Sequence, residues 1–423
     1  MQTTKINPTG SLDRIPSLDF LRGIAILGII FINIESFVYP EAFTPWKNGF
    51  QSEIDYSTRF WVYFLTQGKF YTMFALLFGV GFVIFLNRLE SRNVGLKAMD
   101  IYTRRLLWLF IFGVIHAYFI WTGDVLYHYA ICGLFLLPFR SIQSKYLVFV
   151  ILLLAVFPMV KSYESTTKRQ ESERDYLTAI KVTESERTEE DKKKIASWER
   201  LTEKKSPDTS YIKPKKETYW SGVKESYQQV KVHDGVFYYQ HVIFSSLMIM
   251  LTGMILYRAG IFSNYRVWKY YWLISITLLI IGLLVNYFRV YKWTYEYYKP
   301  ITNVWEGYLS VFNKELLGVA YILIINGLYQ KFLVHSKIKL ISNVGKTALS
   351  NYIFQSITLG IVFYGYGFEL FNRFSRFELL GIILCVWIVQ IILTYLWLKK
   401  HQYGPLEWLW RKLTYSSFAR KDN

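Results

Sequence analysis

The chain has 423 residues, of which 52% are hydrophobic, 19% aromatic and only 19% charged. Several apolar runs approach the ~20 residues that cross a bilayer, which excludes an ordinary soluble domain and points to an all-α, polytopic transmembrane bundle. Alternation, the mark of a membrane β-barrel, is missing, and the net charge of +18 does not mark a nucleic-acid partner. The basic residues lie mostly in short loops between apolar runs, the positive-inside pattern.

About ten spans are expected, at Leu18–Val38, Phe70–Leu86, Leu106–Trp121, Val125–Phe139, Tyr146–Val160, His241–Tyr257, Tyr270–Tyr287, Tyr308–Leu328, Thr347–Tyr364 and Leu379–Leu398. They divide the chain into an N-terminal bundle (1–160), a hydrophilic insertion (161–240) and a C-terminal bundle (241–423). The first run is followed by no small-residue cleavage site and reads as a retained helix, not a signal peptide.

That first helix carries a polar stripe. Arg22 and Asn33 are eleven residues apart, three turns plus roughly 20°, so they share a face, and Asp19 lies one turn before Arg22. A stripe of that kind suits a helix lining a cavity. The plainer reading is that Ser17 and Asp19 cap the helix and Arg22 reaches the headgroups. Lys69 opens the second span on the outer side, against the positive-inside bias.

The third and fourth spans read "RRLLWLFIFGVIHAYFIWTGDVLYHYAICG". His116 lies about 9 Å below the turn. "WTGD" makes that turn, Asp124 begins the next helix, and His128 follows one turn further in. A histidine near a carboxylate is the apparatus of general-base chemistry; capping and helix–helix bonding are the structural alternatives. Cys132 and Cys385 both fall in apolar runs, so neither a disulfide nor a metal framework is expected.

The insertion carries 17 Lys+Arg and 15 Asp+Glu between Lys161 and Asp234. It reads as a solvated helical hairpin or a flexible segment. The aromatic-rich 288–308 loop reads as an interfacial belt, with sugar stacking on Trp293 or Trp305 as the functional alternative. Asn313, Lys314 and Glu315 sit in the outer turn of the eighth span. Asn351 and Gln355 share a face of the ninth and can bond neighbouring helices or a substrate. "GPLEWLWRKLTY" after the tenth span reads as an interfacial amphipathic helix, in which Glu407 and Arg411, at i and i+4, can pair. Basic residues of the 87–105 loop, the 331–346 loop and the tail fall on one side, which places that side and both termini in the cytoplasm and the insertion outside.

The motifs "RIPSLDFLRGIAILGIIFIN", "GKFYTMFALLFGVG", "RRLLWLFIFGVIHAYFIWTGDVLYHYAICG", "GKTALSNYIFQS" and "GPLEWLWRKLTY", in this order, resemble the YeiB-like membrane proteins, domain-of-unknown-function family 418. The first helix is in turn similar to that of membrane acyltransferases of the acyltransferase-3 and heparan-α-glucosaminide N-acetyltransferase types. The resemblance implies a bacterial plasma-membrane protein that moves an acyl group from a cytoplasmic thioester, acyl-CoA, to a glycan or lipid acceptor of the cell envelope. The acyltransferase-3 pattern has a His eleven positions after the Arg; here Arg22 matches the Arg, and Asn33 stands where the His would be. On this reading His116 is the base, Asp124 its orienter, Asn33 an oxyanion or positioning donor, and Arg22 a ligand for donor phosphate or carbonyl groups. Asp19, Lys69, His128, Asn351, Gln355, Glu407 and Arg411 are the further candidates for substrate contact. The competing reading is a transporter or flippase that uses the same residues as a substrate or proton path. A non-catalytic scaffold is the third.

Overall fold

The computed structural model describes residues 15–40, 42–44, 52–91, 97–204, 218–233, 236–333 and 338–416. Among the loop and tail basic residues, Arg92, Lys337, Arg420 and Lys421 lie outside them. Every element among the described residues is helical. A helix coincides with each of the ten expected runs: α1 (Pro16–Val38), α3 (Lys69–Glu90), α4 (Lys97–Phe119), α5 (Leu126–Phe135), α6 (Ser144–Ala179), α9 (Val236–Arg258), α10 (Tyr271–Tyr295), α11 (Val304–Val311) with α12 (Asn313–Leu328), α14 (Ala348–Phe363) and α15 (Arg376–Lys400). Among the described residues, six stretches are long and apolar enough to cross a bilayer, and three shorter apolar helices join them. The chain is a helical membrane protein.

The differences from expectation are local. α2 (Glu53–Thr66) was not legible as an apolar run, because Glu53, Asp55 and Arg59 interrupt it. The fourth run yields only ten α-helical residues plus a 3₁₀ turn at Leu137–Phe139. At 1.5 Å per residue α5 rises about 15 Å, roughly half of a bilayer's apolar core. The eighth run is broken at Phe312 between α11 and α12. α6 runs without interruption from the fifth apolar run into the insertion, and α7 (Glu189–Thr202) folds back on it, with Tyr176 against Trp198. The insertion thus begins as a helical hairpin, continues through α8 (Tyr219–His233), and has no boundary at residue 160. α13 (Lys339–Lys346) and α16 (Pro405–Tyr415) complete the set.

Two thirds of the apolar window of α1 is buried, against 6% of that of α6, so α1 is central and α6 lies at the lipid-facing rim. Small residues allow the centre to close. A Cβ on Gly23 would strike the carbonyl of Ile341, and one on Gly345 the carbonyl of Asp19, so α13 rests on the main chain of α1. Gly79 of α3 and Gly253 of α9 likewise face the carbonyls of Met250 and Leu76. Close backbone approach of this kind drives helix association where the surroundings are as apolar as the side chains. The main core joins residues from both sides of the insertion, among them Leu18, Met73, Leu147, Met250 and Ile322.

The bundle has one basic end. Arg104 reaches the Ser416 carbonyl, Arg140 lies 3.8 Å from Glu90, and Arg258 donates to the Arg140 carbonyl at 2.6 Å, so the start of α4, the end of α3 and the end of α9 meet there. At the far end Tyr63 of α2 donates to Glu35 of α1 at 2.8 Å, and Arg376 of α15 lies 3.5 Å from the same carboxylate. Because the α3–α9 contact is main chain against main chain, Gly79→Leu should destabilise the protein by about 1–3 kcal/mol. Gly381→Leu, where nothing lies within 4 Å of an added Cβ, should not. Denaturation midpoints of the two variants in the same micelles check this.

Candidate functional site

α4 ends by folding its own last turn shut. The carbonyl of His116 accepts from both Ile120 and Trp121 amides, at 2.9 and 2.8 Å, and the chain reverses before α5. Gly113 lets α5 come close: a Cβ there would strike the Tyr127 amide and lie 2.8 Å from the Asp124 carboxylate. The reversal is therefore partly buried, with Gly123 at its tip exposed. Trp121 and Asp124 are both buried, and α8 covers the reversal from the far end, with Tyr219 donating to the Phe119 carbonyl at 3.1 Å.

The result is a direct contact between His116 Nδ1 and Asp124 Oδ1 at 2.7 Å, with the other carboxylate oxygen accepting from the Tyr127 amide at 3.0 Å. Both side chains are fully buried. With Nδ1 donating to the carboxylate, the neutral ring presents a lone pair at Nε2. That atom is buried and has no hydrogen-bond partner among the described residues. His128 points away from this pair. Its Nε2 meets Ser246 Oγ of α9 at 2.9 Å and the Cys132 sulfur at 3.6 Å.

The imidazole of His116 lies 4.9 Å from the ring of Tyr352. Tyr352, with Val125 and Leu126, forms the inner wall of a cavity of about 380 Å³ between α1, α3, α4, α5, α14 and α16. The walls are apolar, including Ile26, Phe78, Phe82 and Leu106, and the mouth at the basic end carries Arg22, Arg88, Arg105, Lys346 and Arg411. Two carboxylates share that mouth, and both are engaged. Asp19 pairs with Arg22 at 3.2 Å. Glu407 turns to the start of α14, accepting from the amides of Leu349 at 2.7 Å and Ser350 at 3.2 Å and from the Ser350 hydroxyl. Burial pushes the Glu407 carboxyl up, against the hydrogen bonds from Ser350 and Leu349 that hold it down. Arg411 stacks on Tyr403 at 4.1 Å, and Arg105 lies 3.6 Å over Trp410, whose indole N–H holds the Arg105 carbonyl. α16 is thereby pinned across one side of the mouth. The cationic excess suits an anionic ligand.

Other sequence candidates lie elsewhere. Asn33 is half-buried one turn beyond Ile29 and outside the cavity lining, although it continues the stripe of Arg22, Ile26 and Ile29. Asn351 and Gln355 tie helices together: Asn351 donates to Thr394 at 3.1 Å, and Gln355 to the Ile26 carbonyl and Gln390 at 3.0 and 3.1 Å. Lys69 is buried at the start of α3 and donates to the Tyr63 carbonyl at 3.0 Å. Arg88, Arg105, Tyr352 and Trp410 were not singled out from the sequence. For Arg105 the signal was present, since Arg105 precedes His116 by the same eleven residues that relate Arg22 to Asn33. The two lie on one face of α4, about 16 Å apart along the axis.

Asp124→Ala would leave the His116 Nδ1–H and the Tyr127 N–H buried and unpaired, at about 1–3 kcal/mol each. We expect a loss of about 2–6 kcal/mol in stability, and a smaller one for Asp124→Asn, which keeps an acceptor oxygen. Equal denaturation midpoints for wild type and Asp124→Ala would contradict the contact.

Residues 256–417 match the family described as "Protein of unknown function (DUF418)". Over its length the chain is 29% identical to "Uncharacterized protein YxaH" of Bacillus subtilis (strain 168), covering 98% of both chains. It is also 29% identical to "Uncharacterized protein YeiB" of Escherichia coli (strain K12), covering 95% of this chain and 97% of YeiB. Over its whole length the chain is thus similar to YeiB and YxaH, and its C-terminal part matches the DUF418 family.

Proposed function

We propose that the protein is an integral-membrane acyltransferase. An acyl-CoA donor enters the cavity from the basic end, and a hydroxyl or amine of a cell-envelope glycan or lipid accepts the acyl group. The single observation that carries this reading is the buried His116–Asp124 pair with an open Nε2 behind the inner wall of a cationic-mouthed cavity. Acyl transfer needs a base where the acceptor attacks and positive charge where a polyphosphorylated donor binds. His116 Nε2 takes the acceptor's proton as its oxygen or nitrogen bonds to the thioester carbonyl carbon. The tetrahedral intermediate then expels the thiolate, which recovers the proton from Nε2. Asp124 holds the ring and offsets the imidazolium charge, the orienting role of a triad carboxylate. Arg22, Arg105, Lys346 and their neighbours at the mouth hold the donor's phosphates.

The positive-inside bias supports placing the basic end and both termini in the bacterial cytoplasm, with α6–α8 reaching outside. A second reading, a transporter or flippase, is favoured by one observation: α2/α3 and α11/α12 are interrupted helices, as in many transporters.

In purified protein, His116→Gln and Asp124→Asn should lower release of CoA thiol from acetyl-CoA by about 10²–10⁴-fold, with folding checked by gel filtration. Wild-type rates in both variants would remove the pair as the base. Solute flux in proteoliposomes without any thioester chemistry would select the transporter. Protease added to intact cells should cut within the insertion. Protection there until the membrane is permeabilised would invert the orientation.

A further inference from the structure

The interrupted helices meet at the far end, away from the cavity. α2 gives way to α3 at Gln67–Gly68, where Gly68 has φ +78°, a conformation that favours glycine. α11 gives way to α12 at Phe312. A Cβ on Gly68 would lie 2.8 Å from Cβ of Lys314, and one on Gly318 would lie 3.0 Å from the Lys69 carbonyl oxygen. The first turns of α3 and α12 thus adjoin. Neither has a side-chain cap, so first-turn N–H donors and two positive dipole ends gather in one place.

The side chains there carry an unbalanced charge. Lys69 is fully buried and makes no ion pair among the described residues; its Nζ donates to the Tyr63 carbonyl alone. Arg289 and Lys314 lie within electrostatic reach of it, and Glu315 is the carboxylate that opposes them. Glu315 Oε1 accepts from Ser245 at 2.6 Å and lies 3.7 Å from Lys314 Nζ, while Oε2 is buried with no partner. Three cations against one carboxylate is costly in an apolar bundle, and so is an orphaned carboxylate oxygen.

We propose that this crossing of α3 and α12 binds a phosphate monoester or inorganic phosphate as its monoanion. The phosphate oxygens would accept from the two helix N-termini, Lys69 and Lys314, and the P–OH would give Glu315 Oε2 its missing donor. The Lys314 side chain is 41% exposed, so the site is open to its surroundings. It stands apart from the acyl-transfer reading and does not depend on it.

The test uses the full chain and two probes. Inorganic phosphate is titrated calorimetrically into protein in a neutral detergent. Separately, phosphatidylcholine nanodiscs with and without phosphatidic acid are read by native mass spectrometry for lipid retained on the protein. We expect saturable binding of at least one probe at the crossing, read as the component that Lys314→Gln weakens. Inorganic phosphate binding points to a soluble ligand, and retention of phosphatidic acid alone to a lipid headgroup. Lys314→Gln and Lys69→Met should each weaken binding by about tenfold or more, and Lys400→Gln, exposed at the other end and outside the cavity lining, should not. Lys314 is partly exposed, so its variant keeps the test valid if Lys69→Met fails to fold. Absence of saturable binding of both probes, or wild-type affinity in the folded variants, would overturn the proposal. His116→Gln should bind phosphate normally, so failure here leaves the acyl-transfer reading standing.

Discussion

A polar atom inside an apolar bundle must find its partner within the protein, because lipid offers none. This constraint organises the structure around α1. Gln355 of α14 and Trp387 of α15 donate to the main-chain carbonyls of Ile26 and Leu27, at 3.0 and 2.9 Å. Ser17 donates to the Phe262 carbonyl at 3.1 Å, and Glu35 receives Tyr63. The central helix is held by directed bonds to four neighbouring segments, and glycines let neighbours come close. Each of these bonds forms because the alternative, an unpaired group in hydrocarbon, costs more than the side-chain entropy lost in making it.

Exceptions to that rule carry the chemical argument. His116 satisfies Nδ1 through Asp124, and Asp124 satisfies its second oxygen through the Tyr127 amide, yet Nε2 is left open. At the far end Glu315 Oε2 and the unpaired charge of Lys69 break the same rule. The two places use different helices at opposite ends of the bundle, so neither defect explains the other.

Hydropathy made the helices legible, since about twenty apolar residues can do little else in a bilayer. It did not reveal where a helix stops inside the bundle. α5 starts deep because Gly113 has no Cβ and because Asp124, a residue that reads as a surface cap, finds two buried donors there. Pairing decided this, and pairing is not visible in a run of residues. α2 was missed for the converse reason: Arg59 is fully buried but reads as polar, its guanidinium lying over Tyr63 at 4.2 Å. Glu407 and Arg411 have helical spacing for a pair, but the uncapped start of α14 offers Glu407 two amides and a hydroxyl, a stronger set than one guanidinium. His116 and Asp124 were legible as candidate residues, and their direct contact was not.

The eleven-residue interval links the two walls of the cavity. On α1 it joins Arg22 at the mouth to Asn33, and on α4 it joins Arg105 at the mouth to His116. Both intervals span about 16 Å, so the two inner residues are at comparable depth below the same cationic rim. The cavity closes in front of Asn33 and reaches the ring that covers His116. If the chemistry is acyl transfer, the base expected at the end of the first helix has an equivalent on the adjacent wall at the same reach from the donor's phosphates. A base moved in this way needs a carboxylate of its own, because an isolated imidazole at that depth would have neither a fixed tautomer nor a counter-charge for its protonated form. Asp124 supplies both from the start of α5, and the short α5 is what brings it there.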